Sequence, residues 1–261
     1  MNSRDISDIS TPAKPPAVSN IPMVYALCDA GQRALARGRY VAAKRLLEQA
    51  ERMAWHRRDA AALARIYLPL LETCRQIRQL ACEGFVFVGG QANPAAIWRA
   101  SGEASTHTPG VVLLPAAMQK SAQKIYSAAQ SQNRSLEILV LLQGGHQWWL
   151  ASPYAPRLAV GLPVRWLGQA APVTAPEADM PWTCPLAAPG FYAAGSPLAV
   201  MTGEAVLLAF EKLALQWQSR HAVPADPWAK MALLRTARRI DPACEPVLMR
   251  LLALAQSLSR Q

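Results

Sequence analysis

Residues Val24–Trp55 constrain the fold of this chain more than any other stretch, because their small and large apolar residues are spaced as two touching helices require. The spacing predicts a helix over Val24–Arg37, a turn at Gly38-Arg39-Tyr40 and a second helix over Val41–Ala54. Gly31 and Ala34 lie one turn apart and allow two backbones to approach closely. Ala43, Leu47 and Ala50 follow at helical intervals and form the stripe of an amphipathic helix. Gly38 stands where a helix C-terminus needs positive φ, and Tyr40 is placed to close the apolar seam beyond it.

These residues resemble a tetratricopeptide repeat. That family places small residues at the eighth, twentieth and twenty-seventh positions of its repeat, which Gly31, Ala43 and Ala50 meet if the repeat starts at Val24. The pattern departs at Leu27 and Ala34, where aromatics are usual, and at Trp55, where a closing proline is usual. The resemblance implies a helical hairpin that cannot bury its own face and needs a cover. Asp59 is placed to cap a third helix from Ala60, and Pro69 predicts a kink or break before Leu70–Cys82 continues.

At Gly84 the period changes. Phe85–Val88, Gly110–Pro115 and Leu136–Leu142 are apolar runs of the kind found in interior strands, and Ala116–Gln132 between the last two has helical spacing at Met118, Ala122, Ile125 and Ala129. Strand, helix, strand of that length implies a parallel crossover. A short helix is expected over Pro94–Ala100, and further strands over Gln147–Ser152 and Arg157–Gly161, the first in an antiparallel hairpin. Six prolines between Gly168 and Met201 argue against regular structure there. Thr202 is expected to cap a helix to about Arg220, and Asp226-Pro227 and Asp241-Pro242 to open two more.

The expected fold is therefore α/β, a small, mostly parallel sheet flanked by tetratricopeptide-like N-terminal helices and by C-terminal helices. Its parts are a disordered start (1–20), a helical region (21–83), an α/β core (84–167), a Pro/Ala-rich connection (168–201) and terminal helices (202–261). This layout is similar to bacterial proteins that join such helices to a small α/β module, a similarity that brings no activity or site residues with it.

At 261 residues the chain needs no disulfide or metal to hold a core. Five cysteines without a CxxC pair read as reduced thiols, and the polar start with no long apolar run points to the cytoplasm, away from membranes. The net charge of +10 is concentrated in the helical flanks, which read first as solvated helix faces and also suit an acidic protein partner. Nucleic acid is disfavoured, since there is neither a run of like charge nor an aromatic-rich basic strand.

No residue set amounts to a catalytic signature. Neither GxGxxG, a Walker loop, GxSxG nor paired histidines at metal spacing occur, so no catalytic residue, metal or cofactor is assigned. Glycine turns after strands could offer backbone N–H groups to a ligand, which makes Gly89, Gly90, Gln91, Gln143, Gly144, Gly145 and His146 the candidate ligand residues. Turn geometry explains the same residues without a ligand. Arg39, Arg45 and Trp148 are the candidate partner contacts. The expected function is a non-enzymatic interaction or scaffold module. The alternative is a small-ligand or nucleotide-binding α/β protein, an enzyme in one version, with its site at the carboxyl ends of the strands.

Overall fold

A computed structural model describes residues 21–89, 109–144, 147–151, 162–167, 183–219 and 222–260. The expected helix at 94–100 and strand at 157–161 lie outside them, as does the start of the chain. Among the described residues, α1 (Ile21–Ala36) and α2 (Tyr40–His56) form the hairpin. Gly38 takes φ 70°, its N–H bonds Leu35 O at 2.9 Å, and the N–H of Arg39 bonds Ala34 O at 2.9 Å. That pair of bonds satisfies the last carbonyls of α1 and turns the chain in three residues. A Cβ on Gly31 would lie 2.7 Å from Leu47 Cγ, so only glycine lets α1 approach α2 this closely.

Helix α3 (Ala60–Glu83) starts at Asp59, whose carboxylate accepts the N–H of Ala62 at 2.9 Å. Of the kink or break expected at Pro69, the break does not occur; the helix runs through it. Proline removes the hydrogen bond that Arg65 O would receive, and the Cys28 thiol of α1 points at that carbonyl from 3.9 Å. Thr73 Oγ donates to Pro69 O at 2.7 Å one turn later. The helix is the hub of the molecule, packing on α1, α2 and the sheet as well as on the C-terminal helices.

Among the described residues the sheet has seven strands: β1 (Phe85–Val88), β2 (Gly110–Pro115), β3 (Leu136–Gly144), β4 (Gln147–Ala151), β5 (Leu162–Trp166), β6 (Cys184–Leu186) and β7 (Gly190–Tyr192). Their spatial order is β6-β5-β4-β3-β2-β1-β7. The pairs β1–β2, β2–β3 and β5–β6 are parallel, while β3–β4, β4–β5 and β1–β7 are antiparallel. The sheet is thus mixed, which corrects the expectation of a mostly parallel one. The parallel reading holds for the central three strands, whose continuous apolar runs are visible in sequence. The antiparallel additions are a hairpin and short edge strands, whose pairing is decided at long range.

Residues 184–201 also depart from expectation, since they hold β6, β7 and the start of a helix. Pro185 is tolerated because β6 is an edge strand and need not donate on its free side. Helix α5 (Pro197–Ser219) begins five residues before Thr202, with Pro197 in its first turn and Ser196 Oγ accepting the N–H of Ala199 at 3.4 Å. Thr202 is fully buried and accepts the N–H of Ala187 at 3.0 Å, tying α5 to the end of β6.

Alternation along the strands divides the core. Phe85, Phe87, Val112, Leu114, Leu136 and Ile138 face α4 (Gln119–Ser131), which covers one side with Ala122, Ile125 and Ala129. Val86, Val88, Val111, Leu113, Leu139 and Leu141 face the larger core under α3 and α5. The last helices of the described residues are α6 (Pro227–Ala237) and α7 (Glu245–Ser259). Asp226 caps α6 as expected, accepting the N–H of Ala229 at 2.7 Å. Asp241-Pro242 does not open α7, which starts at Glu245. The two ends of the chain pack together: α7 lies along α3, and Trp55 meets Trp228 edge-on at 5.6 Å. Among the described residues no helix is long and apolar enough to cross a membrane.

Candidate partner-binding cleft

Arg39 and Arg45, on the turn and first helical turns after Gly38, line one cleft of about 620 Å³. Its opposite wall is made by Pro109, just before β2, and by Asn133 and Ser135 around the start of β3. The backbone holds these walls in place. Pro109 O accepts the N–H of Phe85 at 3.2 Å, and Ser135 O accepts that of Gly110 at 3.1 Å. Gly84 lets the junction of α3 and β1 press on Pro109, since a Cβ there would fall 2.0 Å from Pro109 O. Arg45 donates to Asn133 Oδ1 at 2.8 Å across the cleft, and Asn133 takes φ 54°, a left-handed conformation that asparagine tolerates.

The electrostatics of this cleft have one sign. Among the described residues no carboxylate lines it, and both arginines are exposed. Helix α2 starts at Arg39 without a side-chain cap, so the N–H groups of its first turn and the positive end of its dipole face the same space. The arrangement can attract and orient acidic groups. It has no nucleophile or base with an orienting partner.

The ligand candidates lie elsewhere. Gly89 ends β1, and its N–H is already spent on Leu113 O at 2.7 Å. A Cβ there would crowd Leu113 O, Phe87 and Pro115 at 3.0–3.2 Å, which explains the glycine through packing. Gln143 and Gly144 are the last residues of β3 and pair with Trp148 and Gln147 of β4. Gly89 and Gln143 thus share the carboxyl end of the parallel strands, with β2 between them, whereas the arginine cleft opens at the amino end. Gly90, Gln91, Gly145 and His146 fall outside the described residues. Among the described residues no group of His, Cys, Asp and Glu could hold a metal ion.

What sequence reading misses is a set of buried charges behind the cleft. Lys44 of α2 is buried and donates to the Tyr126 hydroxyl of α4 at 2.9 Å. Burial alone would lower its pKa, but the surrounding Tyr126, Glu48 and Glu137 raise it, so the ammonium stays charged. Glu137 of β3 is buried between Lys44 and Arg78. Burial raises its carboxyl, against the opposing pull of Arg78 and Lys44. Arg78 of α3 makes a two-pronged ion pair with Asp241, which is fully buried, and lies over the Phe210 ring at 4.6 Å. These groups are too far apart in sequence to form a motif. Comparison with family models, curated proteins and solved structures finds no match to the chain.

Proposed function

We propose that the chain is a non-enzymatic protein–protein interaction module whose partner presents acidic groups to the cleft at the start of α2. One observation carries this reading: Arg39 and Arg45 converge on a single cleft with an uncapped helix start and, among the described residues, no carboxylate in its lining. The α1–α2 hairpin is read as tetratricopeptide-like, supported by the close approach at Gly31 and by Ala43 and Ala50, both fully buried in the seam. In this reading the hairpin is one wall of a composite body, and the partner surface lies at its turn. The reading includes the cytoplasm as the compartment, which the five free, buried thiols support. The alternative ligand site at the strand ends has less behind it, since the Gly89 N–H is already bonded within the sheet.

The test is a quantified pull-down with the intact protein, with Arg39→Glu/Arg45→Glu, and with Arg250→Glu on α7 as a control. Proteins recovered by the wild type and the control should be lost from the double variant. Identical recoveries from all three would remove the cleft as the partner surface.

A further inference from the structure

A second cavity, of about 520 Å³, lies between α2 and the C-terminal end of α6, away from the partner cleft. Its charged lining is Arg52, Arg235, Arg238 and Arg239 against Glu48 and Glu51. Four guanidinium groups facing two carboxylates leave an excess of two positive charges.

The excess is not spread evenly. Glu51 is buried and already occupied: it accepts Arg235 Nε at 2.7 Å and Nη2 at 3.2 Å, and the Tyr67 hydroxyl at 3.2 Å. Arg235 also lies over the Trp55 ring at 4.1 Å, so its position is locked. Arg238 is held more loosely. Its side chain is only 10% exposed, its ion pair with Glu51 spans 3.7 Å, beyond hydrogen-bond distance, and its Nε has no hydrogen-bond partner among the described residues. A guanidinium carries five donors, and leaving its Nε buried without an acceptor is costly. Arg52 and Arg239 stand exposed at the rim and enter no ion pair among the described residues.

We infer that this cavity binds a small phosphorylated compound, with Arg238 at its base and Arg52 and Arg239 at its mouth holding the phosphate. A phosphate monoester carries about −1.5 to −2 at neutral pH, which matches the excess, and its oxygens suit the planar fork of arginine better than a single carboxylate does. Trp55, Ala232 and Pro242 give the cavity an apolar wall for the organic body of the ligand, and its volume suits a small molecule.

Titration calorimetry on the full chain at low salt tests this with phenyl phosphate, inorganic phosphate and acetate. Phenyl phosphate should bind saturably with Kd below about 1 mM, inorganic phosphate more weakly, and acetate not measurably. Arg52→Glu/Arg239→Glu should weaken phenyl phosphate at least about tenfold, and Arg39→Glu/Arg45→Glu should leave it unchanged. Arg238→Lys, which keeps the charge and loses the fork, should also weaken it while circular dichroism shows an intact fold. Three results would overturn the proposal: no saturable phosphate binding, acetate binding as well as phosphate, or equal losses in the two double variants. Equal affinity for phenyl phosphate and inorganic phosphate would overturn the role of the apolar wall. None of these outcomes depends on whether the pull-down finds a partner at Arg39 and Arg45.

Discussion

The two sides of the sheet are held by different physics. On the α4 side Phe85, Phe87, Val112, Leu114, Ala122, Ile125, Ala129, Leu136 and Ile138 form one apolar cluster. On the other side the larger core is crossed by charge: Arg78–Asp241 joins α3 to the α6–α7 turn, and Glu51–Arg235 joins α2 to α6. Glu137 brings the same network onto the sheet. Apolar packing tolerates sliding and substitution by volume, whereas a buried ion pair fixes one pairing and penalises loss of either member. The charged side is also the side where the two ends of the chain must find each other, and ion pairs give that docking a register.

Removing Arg78 strikes the charged side hardest. Arg78→Ala leaves Asp241 fully buried with the Ala243 N–H, at 3.0 Å, as its bonded donor among the described residues. The expected loss is about 3–5 kcal/mol in urea unfolding. Adding Asp241→Asn should recover part of it, because the penalty belongs to the stranded charge more than to the lost contact. A single and a double variant of equal stability would show that the loss does not come from the stranded Asp241 charge. On the apolar side, Ile138→Ala removes a fully buried side chain against α4 and should cost about 3 kcal/mol through lost burial and a cavity. Here no second-site charge change should rescue stability. Recovery of Ile138→Ala by Asp241→Asn would mean that the two sides are not energetically separate.

The same division decides what is legible in sequence. Local spacing reveals the α1–α2 hairpin, the caps at Asp59 and Asp226 and the three central strands, because each depends on residues within one or two turns or on one apolar run. Pro69 does not end the helix, and the carbonyl it orphans, that of Arg65, is met by Cys28, 37 residues away. Strands β6 and β7 are hidden by Pro185 and Gly190, which read as breakers until their edge positions are known. The Arg78–Asp241 pair spans 163 residues and has no local signature. Arg39 and Arg45 stand out as exposed charges on one hairpin, but the far wall of their cleft comes from Pro109 and Asn133. Arg238, in the other cavity, reads in sequence as one more surface arginine at the end of α6; only packing shows it to be nearly buried. The hairpin itself turns out to be a wall, with α3 as the element on which every layer rests.

Glu137 tests the comparison most finely, since it is a carboxylate on a sheet otherwise held by hydrocarbon. Burial raises its pKa in the folded protein above the value of about 4.3 expected for an unfolded chain. Between those two values the native state holds a proton that the unfolded state has released, so this group contributes stability at low pH and loses it as pH rises through the window. A glutamine in its place would keep much of the shape and have no proton to lose. The melting temperature of Glu137→Gln minus that of the wild type should therefore climb as pH is raised from about 4 towards neutrality, a smaller effect than either substitution above. A difference that falls with rising pH would mean that Arg78 and Lys44 stabilise the ionised carboxylate by more than burial opposes it. The charged side would then be held together by Glu137 as firmly as by Asp241, and the sheet would belong to the ionic network instead of bordering it.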